Sequence, residues 1–270
     1  MKWQAKCSYL SVKLFLASVL VCVAAVPSRA GNSPLQELIG RANDQVAKFV
    51  EQFSDVKCTE HVTQEKFKAD GKVELKEQST YDYLVILTNA GGEISLDESR
   101  LAVHEQKKEE KKRISMLVSN GFATLFLVFH PYYSSGFEFT QVGEDTINGH
   151  KFTKVQFKHI PGMRSPAALA LRGREYPLDL AGVAWIDPET GVIAKIDAGL
   201  ANSMEDIGLK TMRSEVEFQP VPFKGSKDLY WFPAQASVEV ETPRQHWRNT
   251  HNFTDYKQFS VSTEEKVASR

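Results

Sequence analysis

The apolar positions of this chain fall into two rhythms, one with the period of a helix and then, for most of the remainder, one with the period of a strand. Leu35, Leu38, Ile39, Ala42, Val46, Phe49, Val50 and Phe53 recur at three- and four-residue spacing, which makes an apolar stripe along a helix. Ser33, Pro34 and Gln36 stand before it as N-cap, N1 proline and N3 glutamine, a strong start signal. The pattern predicts an amphipathic helix of about five turns packed on something flat.

The alternation that follows predicts the flat partner. Val56 to Lys68 and Val73 to Leu87 are read as strands joined at Asp70-Gly71, a two-residue hairpin signal in which both central residues take positive φ. Val73, Leu75, Tyr81, Tyr83, Val85 and Leu87 share one parity and hence one face. Asn89 to Gly92 turns the chain into a third strand, Glu93 to His104. Further strands are expected at Phe137–Val142, Lys151–Ile160, Val183–Ile186, Val192–Ala198, Leu209–Val221, Tyr230–Glu241 and His246–Val261. Asn148-Gly149, Pro161-Gly162, Asp187 to Gly191 and Pro243 separate them, as turn chemistry requires. Strand after strand with short connections predicts an antiparallel meander. The fold class expected is α+β: a curved antiparallel sheet, an incomplete barrel, with a long N-terminal helix and short helices inserted mid-sheet.

Two stretches interrupt the alternation. Glu105 to Arg113 is a mixed charge run of the kind found on solvated surfaces. It leads into Asn120 to His130, apolar on nearly every side and stopped by Pro131. At about eleven residues this segment is too short to span a bilayer, so it is expected to be buried in protein or to cover an apolar surface. Pro166 to Arg172 is read as a second short helix, with Ser165 as N-cap and Gly173 as its stop.

The start of the chain changes how its composition is read. Lys2, Lys6 and Lys13 precede an apolar run, Leu14 to Val26, and Pro27-Ser28-Arg29-Ala30 offers small residues at the −3 and −1 positions of a cut. That order is expected of a cleavable secretory signal over residues 1–30, leaving 31–270 as one domain in the periplasm or outside the cell. Without residues 1–30 the chain holds 29 basic and 34 acidic residues, which argues against a nucleic-acid partner. Cys7 and Cys22 leave with the signal, so Cys58 would stand alone and no internal disulfide is expected. No integral membrane span is expected in the mature chain.

The tail carries a likeness. Ala184-Trp185-Ile186-Asp187-Pro188-Glu189-Thr190-Gly191-Val192-Ile193 is followed by paired strands ending in Asn252-Phe253-Thr254-Asp255-Tyr256-Lys257-Gln258-Phe259-Ser260-Val261. With the long first helix and the interrupted meander, this layout resembles the LolA/LolB-type lipoprotein-carrier superfamily, and uncharacterised exported bacterial proteins similar to it. The resemblance implies an incomplete barrel that holds acyl chains or another apolar ligand on its concave face, with helices as plug and lid. This chain differs from the carriers in length, with a longer early sheet and a charged insertion.

Candidate chemistry is sparse. There is no glycine-flanked nucleophile elbow, no His-Glu-x-x-His and no phosphate-cradling glycine loop. His246 and His251 are five apart, an odd spacing that puts them on opposite faces of one strand. His61, His104, His130, His150 and His159 have no partner at metal-ligand spacing. Asp82 with Asp97 or Glu98 is a carboxylate pair that a sheet could bring together. No catalytic residue, metal or cofactor is assigned. The aromatic density of the apolar segment has two readings: the rings cap the open side of the sheet as core, or they line a cavity for an apolar ligand. Phe122, Phe126, Phe129 and Tyr132, with Trp185, Trp231 and Trp247 from strands, are the candidate lining for an apolar ligand. Arg164, Arg172 and Arg174 are the candidate rim for an anionic headgroup. Three functions stay open: an exported carrier or sensor of an apolar or acylated ligand, a structural or interaction module that meets an envelope protein, and a secreted hydrolase without a recognisable motif.

Overall fold

The computed structural model describes residues 33–90, 93–103, 125–171, 174–223 and 229–258. The expected signal (1–30), the charge run Glu105–Arg113, His104, Phe122, Arg172, Gly173 and the end of the last strand lie outside them. Helix α1 spans Pro34–Phe53, and Ser33 and Gln36 make the reciprocal capping box expected of them. Leu38, Ala42, Val46, Phe49, Val50 and Phe53 of the stripe are buried.

The strands are β1 (Val56–Phe67), β2 (Val73–Ala90), β3 (Glu93–Ala102), β4 (Phe137–Ile147), β5 (His150–His159), β6 (Ala168–Leu171), β7 (Arg174–Pro177), β8 (Leu180–Ile186), β9 (Ile193–Leu200), β10 (Thr211–Pro222), β11 (Leu229–Glu241) and β12 (His246–Gln258). Ten of them form one antiparallel sheet in the order β3-β2-β1-β12-β11-β10-β9-β8-β5-β4. Two meanders are therefore sewn together where the last strand pairs with the first, Glu60 opposite Phe253. The sheet is not closed: β3 and β4 are both edges.

Its concave face holds the core. Phe53 stacks near Phe49 and Phe232, and Phe49 meets Phe126 at 4.1 Å between ring centres. Residues Leu127–Phe129 form a 3-10 turn and Pro131–Ser134 a single helical turn, separated by an extended His130. Pro131 starts this second turn as well as ending the first, because its fixed φ suits N1. Tyr133 of that turn donates from its hydroxyl to the Ile94 carbonyl on edge strand β3, 3.1 Å away. The turn thus bridges the gap between the two edges of the open sheet.

Two local expectations are corrected. At Asp70-Gly71 only Gly71 takes positive φ. The Gly71 amide reaches back to the Lys68 carbonyl and the Lys68 amide bonds to the Lys72 carbonyl, so the loop is a longer turn ending in a left-handed glycine. Asn148-Gly149, by contrast, has both central residues at positive φ. The second insertion is not a helix: Ala168–Leu171 pairs with Arg174–Pro177 as a two-stranded hairpin. Ala-Leu-Ala-Leu alternates as well as it spirals, and so short a helix cannot repay its own nucleation, whereas the hairpin gains a paired backbone. Ser165 locks its base, donating to the Leu178 carbonyl at 2.8 Å.

Candidate ligand-binding groove

One flank of α1 and two strand ends leave a groove. Gln45, Lys48, Phe49 and Gln52 sit three and four residues apart and so share a face. Val192 and Ile193 supply one wall, Leu229, Tyr230 and Trp231 the other, and Phe126 closes the inner end. The space is about 370 Å³, within the range of small-molecule sites.

The wall at Val192 is fixed by turn chemistry. The Asp187 carboxylate accepts from the Glu189 and Thr190 amides at 2.9 and 2.8 Å. Gly191 has φ +78, and a β-carbon there would lie 2.5 Å from the Arg41 carbonyl carbon. Arg41 also donates to the Pro188 carbonyl at 2.8 Å. The motif Asp-Pro-Glu-Thr-Gly is therefore the seat on which α1 docks. The lining mixes apolar side chains with two amides and one ammonium, which suits an amphipathic ligand better than a fully apolar one.

The residues expected from the sequence do not form one constellation. Phe126 and Trp231 meet at the groove. Phe129 is fully buried in the core against Phe139 and Phe157. Tyr132 is half-buried with the Arg164 guanidinium over its ring at 4.5 Å. Trp185 lies between buried Ala184 and Ile186, hence on the opposite face, where it donates to exposed Asp145 at 2.9 Å. Trp247 is buried on β12 beneath the Lys66 ammonium. Arg174 is exposed on the small hairpin. Phe122 and Arg172 lie outside the described residues. Beneath residues 125–134 the concave face is filled, with Leu125 to His130 and Tyr133 all buried.

A second feature went unread in the sequence. Glu60 is fully buried on β1. It receives a two-pronged bond from Arg100 of β3, at 2.6 and 3.0 Å, and lies 2.8 Å from Nδ1 of His251 on β12. Glu98, also enclosed, lies 2.5 Å from Arg100 Nη2. The contact is an ion pair by distance, without hydrogen-bond alignment. Arg100 sits over the Tyr83 ring at 5.1 Å. Parity could have shown this: Glu60 shares its face with Val56, Cys58 and Val62, and a buried charge needs a partner.

The other candidate polar groups do not come together in one site among the described residues. Asp82 and Asp97 are exposed and stand opposite Leu101 and Ile86, so they do not pair, and Glu98 faces inward away from Asp82. The His159 ring holds Asp179 at 2.7 Å, but its other nitrogen meets the Arg164 carbonyl, not a hydroxyl, so no nucleophile is activated. His246 and His251 occupy different faces and different carboxylates, Glu239 and Glu60. Burial holds the His130 imidazole below its ordinary range, and that ring accepts from the Tyr132 amide as a helix cap. No group of three or more ligating side chains among the described residues could hold a metal, and none of their helices is long and apolar enough to cross a membrane.

No family model and no curated protein matches the chain. Among solved structures it is similar to a DUF1329 family protein from Desulfovibrio piger, at 12% identity over 88% of this chain and 96% of that one, with a TM-score of 0.43. It is similar to a LolA superfamily protein from Nitrosomonas europaea, at 10% identity over 85% and 97%, TM-score 0.37. An outer membrane lipoprotein-sorting protein domain from Vibrio parahaemolyticus follows, at 12% identity over 84% and 94%, TM-score 0.39. The superfamily named from the sequence is thus among those whose solved structures this chain resembles.

Proposed function

We propose that this protein is an exported carrier or sensor that binds a single apolar or acyl chain in the groove between α1 and the start of β11. The observation that carries the reading is the groove itself: about 370 Å³ walled by Phe49, Phe126, Ile193, Tyr230 and Trp231, with Lys48 at its rim. Burying a chain there gains about 0.8 kcal/mol per methylene, and an ammonium at the mouth suits a carboxylate or phosphate head. Titration with a fluorescent fatty acid tests it. Saturable micromolar binding is expected, weakened about tenfold or more by Trp231→Ala and unchanged by Trp185→Ala. No saturable binding, or equal loss in both variants, would overturn it.

The filled face beneath residues 125–134 supports a second reading, a structural or protein-interaction module of the envelope. Under that reading the fatty acid does not bind, and an envelope protein takes its place as partner.

A further inference from the structure

Glu60, Glu98, Arg100 and His251 converge from β1, β3 and β12 on one enclosed spot over Tyr83 of β2. Two carboxylates share one guanidinium. Glu60 holds both prongs of Arg100 and the His251 ring, which leaves Glu98 with the flank of the same guanidinium. With both carboxylates ionised, two enclosed anions share the one guanidinium of Arg100, and a buried charge that is only partly compensated is unfavourable.

The strand that bears Glu98 and Arg100 is also special. Among the described residues β3 is an edge, held by β2 alone on its paired side, and its Ile94 carbonyl takes the hydroxyl of Tyr133 from the helical turn. A change that loosens β3 therefore also loosens the tie across the open side of the sheet.

We propose that this cluster is a proton-operated latch on the sheet edge. With one carboxylate protonated it holds β3 against β1 and β12; with both ionised it favours release of β3. Burial pushes the Glu98 carboxyl up to about 7, against the pull of Arg100, so Glu98 is the proton holder. Burial also opposes ionisation of Glu60, but His251 and Arg100 outweigh it and keep that carboxyl below its ordinary range. Among the described residues the titratable groups facing the cluster are Cys58 from β1, Tyr83 from β2 and Tyr256 from β12, besides its four members. Helix α1 presents the Phe53 ring to Tyr83. An acid raised from 4.5 to about 7 in the closed form stabilises that form fully below pH 4.5. The contribution fades as pH rises to about 7.

Native-state hydrogen exchange of the purified chain at pH 5 to 8, corrected for intrinsic rates, tests the latch. Opening of the 93–102 segment is expected to rise roughly tenfold between pH 6 and 8, while the β9–β10 hairpin does not follow it. In Glu98→Gln the 93–102 segment is expected to lose this dependence. A wild-type β3 that is flat with pH, or that changes in step with β9–β10, overturns the proposal. So does a folded Glu98→Gln variant that keeps the wild-type dependence. If that variant does not fold, the wild-type comparison decides alone.

Discussion

Replacing Gly191 by alanine separates two terms that usually travel together. The residue sits at φ +78, and an L side chain in that region costs about 1–2 kcal/mol. A β-carbon would also lie 2.5 Å from the Arg41 carbonyl carbon and 2.7 Å from its oxygen and Cβ. These are mostly backbone atoms of α1, a helix pinned by six buried side chains, so they cannot swing aside. Overpacking of this kind adds about 1–3 kcal/mol. Gly71 is the control: it has φ +80 with nothing within 4 Å of an added β-carbon. Gly71→Ala should therefore show the conformational term alone. Urea unfolding of both variants should lower the midpoint for Gly191→Ala by roughly twice as much or more, with unchanged slope. Equal shifts would refute the claim that the Asp187–Gly191 turn is the seat of α1.

Arg100→Met should destabilise by about 3–5 kcal/mol, because it leaves Glu60 and Glu98 enclosed without their cation; chemical denaturation measures it. Burial pushes the Cys58 thiol up to about 12, and the thiolate is the reactive form. The Cys58 peptide should therefore resist iodoacetamide at pH 8 until denaturant is added, as mass spectrometry would show. Ser33→Ala removes one half of the capping box and should lower stability by about 1 kcal/mol, read from the urea midpoint.

Much of the fold was legible because one-sided burial enforces parity. The stripe from Leu38 to Phe53 and its Ser33 cap fix α1 by themselves. The alternation of Val56, Cys58 and Val62 likewise fixes which face of β1 turns inward. What could not be read is which strands meet across long separations. Arg100 reaches Glu60 over β2, and His251 reaches it from the other end of the chain; no local pattern encodes either approach. The hairpin at Ala168–Pro177 was missed because a four-residue alternation of alanine and leucine fits both periods. The groove was half read: Trp231 and Phe126 carry an aromatic signal, whereas Phe49 belongs to the helix stripe and signals only core. Trp185 entered the candidate lining as an aromatic, although its parity against Ala184 and Ile186 assigns it to the outer face.

The most direct test of the groove reading is site-resolved quenching by a brominated fatty acid. In a variant with Trp3, Trp185 and Trp247 replaced by phenylalanine, Trp231 is the sole reporter. It lines the groove with Phe126 and Tyr230, so its emission should fall saturably as the ligand fills the space. A variant retaining Trp185 alone should show no saturable loss. Quenching of Trp185 with Trp231 unaffected, or of neither, would contradict the account.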